Sequence, residues 1–446
     1  MDFHVCTECK THNVMMKYVV NIILLTFFSF STAWSSYILI PMKAENQKNH
    51  LKAYGITYWV IDQGEEAYWL LNYEGGAFAF PHNTVFEQEC KIRDVSYKVI
   101  PNAQFAAIRS EIADPEMNQE VIKLEKAPKI AVYTPNFNAR GERIQPWDDA
   151  VTMVLTFAEI PYDKVYDREV LEGKLAEYDW LHLHHEDFTG QYGKFYANYA
   201  NQPWYKENKR RMEELAASLG FAKVSKLKSA VVEKIHDYVM GGGFMFAMCS
   251  ATDTYDIALA AKGLDICDVM FDGDAADPSA QSKLDFSRTF AFKDFKLIRN
   301  PREYEFASID HRSRKITPEA DYFTLFDFSA KWDPVPTMLT QNHTRTVKGF
   351  MGQTTSYKRM IGQNKSQIKS DVLVLGETKA ANEVRYIHGK RGFGTWTFYG
   401  GHDPEDYRHF VNDPETDLNL HPRSPGYRLI LNNVLFPAAK KKKRKT

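Results

Sequence analysis

Charge imbalance, sequence repeats and a phosphate-binding glycine loop are all missing from these 446 residues. The formal net charge is −1, with 56 Lys and Arg against 57 Asp and Glu, which argues against a general nucleic-acid binder. No fixed-period repeat is visible, so a stacked-repeat architecture has no support. No Gly-x-x-x-x-Gly-Lys run occurs, which removes the usual signature of an ATP site. Cysteine is scarce, with five in all. Cys6 and Cys9 form a lone Cys-x-x-Cys followed by His12, and one pair without a second is a weak zinc signal. The acidic run Asp272-Gly273-Asp274 with Asp277-Pro278 lacks the spacing and terminal Glu of an EF-hand and reads as an ordinary turn. No metal and no cofactor is called for.

What is present is an ordinary globular composition, 44% apolar and 25% charged, long enough for two or three domains. Aromatic residues, at 14%, hint at large cores or carbohydrate-type surfaces. Residues 1–36 hold the pattern of a secretory signal. Met15-Met16-Lys17 is a short basic start, which makes Met15 or Met16 a candidate true start. Tyr18–Phe30 is the apolar core, and Ala33-Trp34-Ser35 a small-x-small cleavage site. The apolar stretch is short for a membrane anchor, and no Cys follows it to carry lipid. The expectation is an exported protein, periplasmic or extracellular, that touches membrane only transiently through that segment. Three cysteines then remain, Cys90, Cys249 and Cys267, enough for one disulfide and one free thiol. If Cys249 is the free one, Cys90–Cys267 is the remaining pair. The basic tail, 438–446, reads as a solvated, disordered end.

Residues 51–120 read as a small α+β module. Tyr54–Ile61, Ala67–Tyr73 and Val95–Ile100 have strand-like composition, and Ala103–Ile112 is helical. From Lys126 short apolar runs alternate with helices. Lys129–Tyr133, Tyr162–Tyr166 and Asp179–His184 are strands, separated by helices at Trp147–Ile160 and Leu171–Tyr178. That alternation predicts an α/β fold with a doubly wound, mostly parallel sheet. Residues 190–225 and 264–370 are insertions, the second a cap over a pocket. The sheet resumes at Asp371–Gly376, Val384–His388 and Thr395–Tyr399, and Pro425–Leu435 is a closing helix.

The stretch Gly241–Ala251 organises the rest. A helix from Lys226 to Met240 carries Val231, Val232, Ile235 and Val239 on one face. Three glycines end it, Phe244–Ala247 is a buried strand, and Cys249 precedes a new helix starting near Thr252. A nucleophile on such a strand-to-helix turn needs small residues two before and two after it, and Ala247 and Ala251 stand there. Unpaired N–H groups of the helix's first turn would stabilise a thiolate and an oxyanion. The alternative is an inert, buried Cys closing a core strand.

The strand before it ends in His182-Leu183-His184-His185-Glu186-Asp187. That cluster has three readings: structural, lining of a pocket beside Cys249, or a transition-metal site. A Cys nucleophile also needs a base close in space. His402 follows a late buried strand and two glycines, and Glu405 or Asp403 would orient its imidazole.

This layout resembles a class I glutamine amidotransferase-like domain over 127–437. The run Tyr386–His402, with its basic-glycine turn, aromatic strand and Gly-His, resembles the trehalose-utilisation (ThuA-like) branch. The resemblance implies a flavodoxin-like sheet and a Cys-His-Glu triad of Cys249, His402 and Glu405. Ala replaces Gly at the elbow, and two residues separate His402 from Glu405 where His-x-Glu is usual. The whole chain also resembles secreted bacterial proteins often called asparagine synthetase B. That name implies an N-terminal-Cys glutaminase and a Ser-Gly-Gly-x-Asp-Ser loop, and this sequence has neither. The expected activity is a cysteine-dependent amidase on a small-molecule or envelope-derived substrate, with Ser250, His184, His185 and Glu186 contacting it. A non-catalytic binding protein of the same fold, taking a sugar or envelope ligand, is the alternative.

Overall fold

The computed structural model describes residues 36–183, 185–310, 322–340, 345–348, 357–358, 366–406 and 414–439. The signal-like segment up to residue 35, His184 and the basic run from 440 lie outside the described residues. Among the described residues no helix is long and apolar enough to cross a membrane.

Five strands come first: β1 (Ser36–Ile40), β2 (Ala67–Leu71), β3 (Ala77–Pro81), β4 (Lys98–Pro101) and β5 (Glu120–Leu124). They form an antiparallel sheet in the order β4-β1-β3-β2-β5. One face packs against the Asn102–Ala113 helix through Leu39, Leu70, Phe105 and Ile108. The other face receives a helix, His50–Asp62, where the sequence reading expected a strand at Tyr54–Ile61. Tyr, Trp, Val and Ile give that segment a strand-like composition. Its neighbours decide otherwise. Ten of its thirteen residues are buried, so it is apolar nearly all round, as befits a helix enclosed on several sides. The Asn49 side chain caps its start by accepting from the Lys52 amide.

The second sheet contains β6 (Ile130–Tyr133), β7 (Asp163–Val165), β8 (Trp180–Leu183), β9 (Phe244–Met248), β10 (Tyr322–Leu325), β11 (Thr346–Lys348), β12 (Tyr357–Lys358), β13 (Leu373–Thr378), β14 (Glu383–Arg391) and β15 (Gly394–Tyr399). Its order is β11-β10-β13-β14-β15-β9-β8-β6-β7, with β12 on β14. The run β15-β9-β8-β6-β7 is parallel throughout. The remaining pairings are antiparallel. The sheet is therefore mixed, not mostly parallel. The described part of the 264–370 insertion accounts for much of that, since β10, β11 and β12 extend the antiparallel flank.

Strand alternation divides the core cleanly. Ile130, Val132, Trp180, Phe244 and Phe246 face one side, with the helices Ala150–Ala158 and Pro425–Leu435. Ala131, Tyr133, Leu181, Met245 and Ala247 face the other, with the helices Val224–Met240 and Ser250–Ala260. The first core is continuous with residues 38–124. Ile38, Tyr54, Trp69 and Phe80 belong to the same buried cluster as Val132, Trp180 and Leu431. Cys90 lies in this core and Cys267 in the opposite one. All three described cysteines are free and buried, which overturns the Cys90–Cys267 pairing.

Candidate active site at the ends of the parallel strands

β9 delivers Cys249 at its carboxyl end, where ligands gather in parallel sheets. Cys249 has φ 53° and ψ −141°, a conformation that L-residues seldom adopt, and the Ser250–Ala260 helix begins at the next residue. Strain of this kind, of order 1–3 kcal/mol, persists only where the surroundings enforce it. Ala247 and Ala251 are fully buried on either side, so the small residues sit where the tight turn needs them. The Cys249 amide donates to the Gly401 carbonyl at 2.9 Å, which ties the elbow to the turn after β15. The thiol is not the activated group expected from a helix N-terminus. Cys249 is only 4% exposed. Burial pushes its thiol up to about 12; the Ser250 amide and hydroxyl pull it back, and Asp253 and Asp403 push it further.

His402 stands one residue beyond that tie. Its Nδ1 lies 2.5 Å from Asp403 Oδ2, and its Nε2 lies 3.1 Å from His185 Nδ1, with the two rings 4.8 Å apart. Burial opposes the imidazolium, but the Asp403 carboxylate outweighs it, with help from Asp149 and Asp406, and His402 is raised above its ordinary value. The carboxylate on the imidazole is thus Asp403, a correction to the Cys249–His402–Glu405 triad. Glu405, at φ 68°, accepts from Ser424 Oγ at 2.8 Å and lies 3.8 Å from His421 Nδ1. The reason is local. The chain turns at Asp403–Asp406, which form an isolated bridge, and this directs the first carboxylate inward and the later one toward Ser424.

The loop after β8 is fixed from both sides. Ser250 Oγ donates to the His185 carbonyl at 3.1 Å, and Thr254 Oγ1 to the Glu186 carbonyl at 3.0 Å. The Glu186 carboxylate accepts hydrogen bonds from Lys228 Nζ at 3.3 Å and from Tyr166 OH at 3.4 Å. Lys228 is fully buried among Tyr133, Tyr166, Asp167 and Glu186. Burial would drain its charge, but Asp167 and its neighbours hold it well above its usual range. Asp187 accepts from the Thr189 amide and hydroxyl and from the Gly193 amide. Both acids of the His184–Asp187 run are therefore engaged in structure. His185 is exposed and turned to His402, so of the expected substrate contacts Ser250 and His185 converge on the site, while Glu186 is drawn toward Lys228.

The sequence reading passed over Asp149. This buried residue caps the Ala150–Ala158 helix and lies 3.2 Å from His182 Nε2. Its position before a helix was a visible capping signal; its meeting with β8 was not. Elsewhere, Asp265, Asp272 and Asp274 gather their carboxylates. Lys223 Nζ sits among them, 3.1 Å from Asp265 and 3.2 Å from Asp272, and bonds to Asp274 as well.

No protein-family model matches the chain, and no curated protein matches it. Among solved structures, it is similar to Cytoplasmic Protein STM3548 from Salmonella typhimurium at 11% identity and TM-score 0.34. It is similar to Cytoplasmic Protein STM1381 from Salmonella typhimurium LT2 at 13% identity and TM-score 0.34. Each alignment covers 70% of this chain and 100% of the other. A third similarity, to the GH42 β-galactosidase Gan42B, has 9% identity and TM-score 0.25, over 62% of this chain and 28% of that one.

Proposed function

We propose that this protein is an exported cysteine-dependent hydrolase of amidase type on a class I glutamine amidotransferase-like, ThuA-like fold. The observation that carries the reading is the strained elbow. Cys249, at φ 53°, is tied through its amide to Gly401, next to an imidazole backed by a carboxylate. The parallel strands, taken in chain order as β6, β7, β8, β9 and β15, lie in the sequence 2-1-3-4-5, which supports the flavodoxin-like assignment.

In this mechanism Cys249 Sγ attacks the substrate carbonyl carbon. The C–S bond forms, the carbonyl π pair moves to oxygen, and the thiol proton passes to His402 Nε2. Amides around Ser250 hold the oxyanion. Collapse expels the amine, which takes the proton from His402, and water then hydrolyses the thioester. A thiol held near 12 is neutral at rest, so the base must act during attack, as it does for hydroxyl nucleophiles. Asp403 keeps Nδ1 oriented so that Nε2 serves as the base. No cofactor enters. The substrate is a small molecule or a fragment of envelope polymer.

The test is an acyl trap. The protein is exposed to p-nitrophenyl esters, and Cys249 is followed by peptide mass spectrometry. An adduct on Cys249 is expected, formed on the order of 100-fold more slowly in His402→Ala. No adduct, or one indifferent to His402, would sink the hydrolase reading. The same buried, neutral thiol favours a second reading, a binding protein that keeps the elbow for shape alone and holds a sugar or envelope ligand.

A further inference from the structure

The acyl-transfer scheme assigns no role to the contact between His185 and His402, whose Nδ1 and Nε2 lie 3.1 Å apart. Two imidazoles bound to one tetrahedral zinc-type ion at about 2.0–2.1 Å each place their nitrogens about 3.3 Å apart, close to the spacing here. The far nitrogen of His402 rests on Asp403 at 2.5 Å. Metal-ligating histidines almost always carry such an outer carboxylate or carbonyl, which fixes the ring and raises its basicity. Among the described residues His185 is solvent-exposed, so water can supply further ligands to an ion there. Its position is built. Ser250 Oγ holds its carbonyl, and Thr254 and Lys228 hold the next residue.

We propose that His185 and His402 form a two-histidine site for a late first-row divalent cation such as Zn²⁺, with Asp403 as the outer partner of His402. Imidazole donors select zinc, nickel and copper over magnesium or calcium. The site differs from the His184–Asp187 cluster suggested by the sequence, because Glu186 and Asp187 are occupied elsewhere and the second ligand comes from a different strand. It differs too from Asp265, Asp272 and Asp274, an all-oxygen group that already encloses the Lys223 ammonium. The proposal does not rest on the hydrolase reading. It does constrain it, since an ion on His402 Nε2 takes the lone pair the base requires. A bound cation would therefore block acylation of Cys249.

The test titrates the full chain with ZnCl₂ alone, by calorimetry, in three forms. These are the wild type, His185→Gln, and Asp265→Asn with Asp274→Asn. The exposed position of His185 argues against loss of fold, and circular dichroism checks it. Wild type should bind one Zn²⁺, with at least tenfold weaker binding in His185→Gln and none of that loss in the acidic-cluster variant. Zinc-edge X-ray absorption of the loaded wild type should show two imidazole nitrogens. Absence of binding in wild type, or equal affinity in His185→Gln, would overturn the site. Because the readout is metal affinity, a failure here leaves the acyl trap on Cys249 free to succeed, and the reverse.

Discussion

The carboxylate behind an imidazole decides which nitrogen keeps a proton and which keeps a lone pair. In this site that carboxylate is Asp403, 2.5 Å from His402 Nδ1. Glu405, two residues on, is committed to Ser424. Asp403→Asn should therefore slow acylation of Cys249 on the order of 100-fold, because an amide can hold the ring in the wrong tautomer. Glu405→Gln should leave the rate close to that of the wild type. Stopped-flow release of p-nitrophenol from the two variants measures both. The reverse ranking would restore the sequence-derived triad. The placement of Cys249 and His402 at the ends of two neighbouring strands was legible because glycines and a buried strand precede each of them. The choice between Asp403 and Glu405 was not, since it depends on how one turn folds back. Asp149 was hidden for another reason: it comes from the start of a helix far away in the chain, and only the β6–β8 pairing brings it to His182.

At the level of elements, one close contact between the helices of the two sheets is made by a glycine. Gly55 lies in the His50–Asp62 helix where it crosses Ala150–Ala158. A Cβ built there would fall 1.8 Å from the Ala158 carbonyl oxygen, a backbone atom that cannot swing aside. In an open helix Gly→Ala stabilises by up to about 1 kcal/mol. Here Gly55→Ala should instead destabilise by about 1–3 kcal/mol, the usual cost of overpacking. Urea unfolding of the variant would show this as a lower midpoint. An unchanged or raised midpoint would mean that the crossing is looser than described. The same helix marks where sequence reading failed. Its aromatic and β-branched residues favour a strand locally, and only burial by partners distant in the chain makes it helical. Elements punctuated by glycine were read well, among them Val224–Met240, β9 and the β14–β15 hairpin. There the turn chemistry is local, and no distant partner has to be known.

At the scale of the whole molecule, the question is whether residues 36–124 fold as a unit of their own. Composition suggests a separate module, and its five-stranded sheet is complete in itself. The packing argues for union. Tyr54 and Trp69 share a core with Val132, Trp180 and Leu431. Tyr58 OH donates to the Pro128 carbonyl at 2.8 Å, and Arg428, fully buried in the closing helix, reaches Tyr54 OH at 3.1 Å and the Gly75 carbonyl. Separating the two parts would expose that apolar face, at a cost of several kcal/mol, and give up the Arg428 hydrogen bonds to Tyr54 and Gly75. Calorimetry of the chain from residue 36 onward should therefore give one unfolding transition. Gly55→Ala sharpens the test. If the sheets unfold together, the whole transition moves to lower temperature; if they are independent, a second transition stays in place, and the single-core description fails.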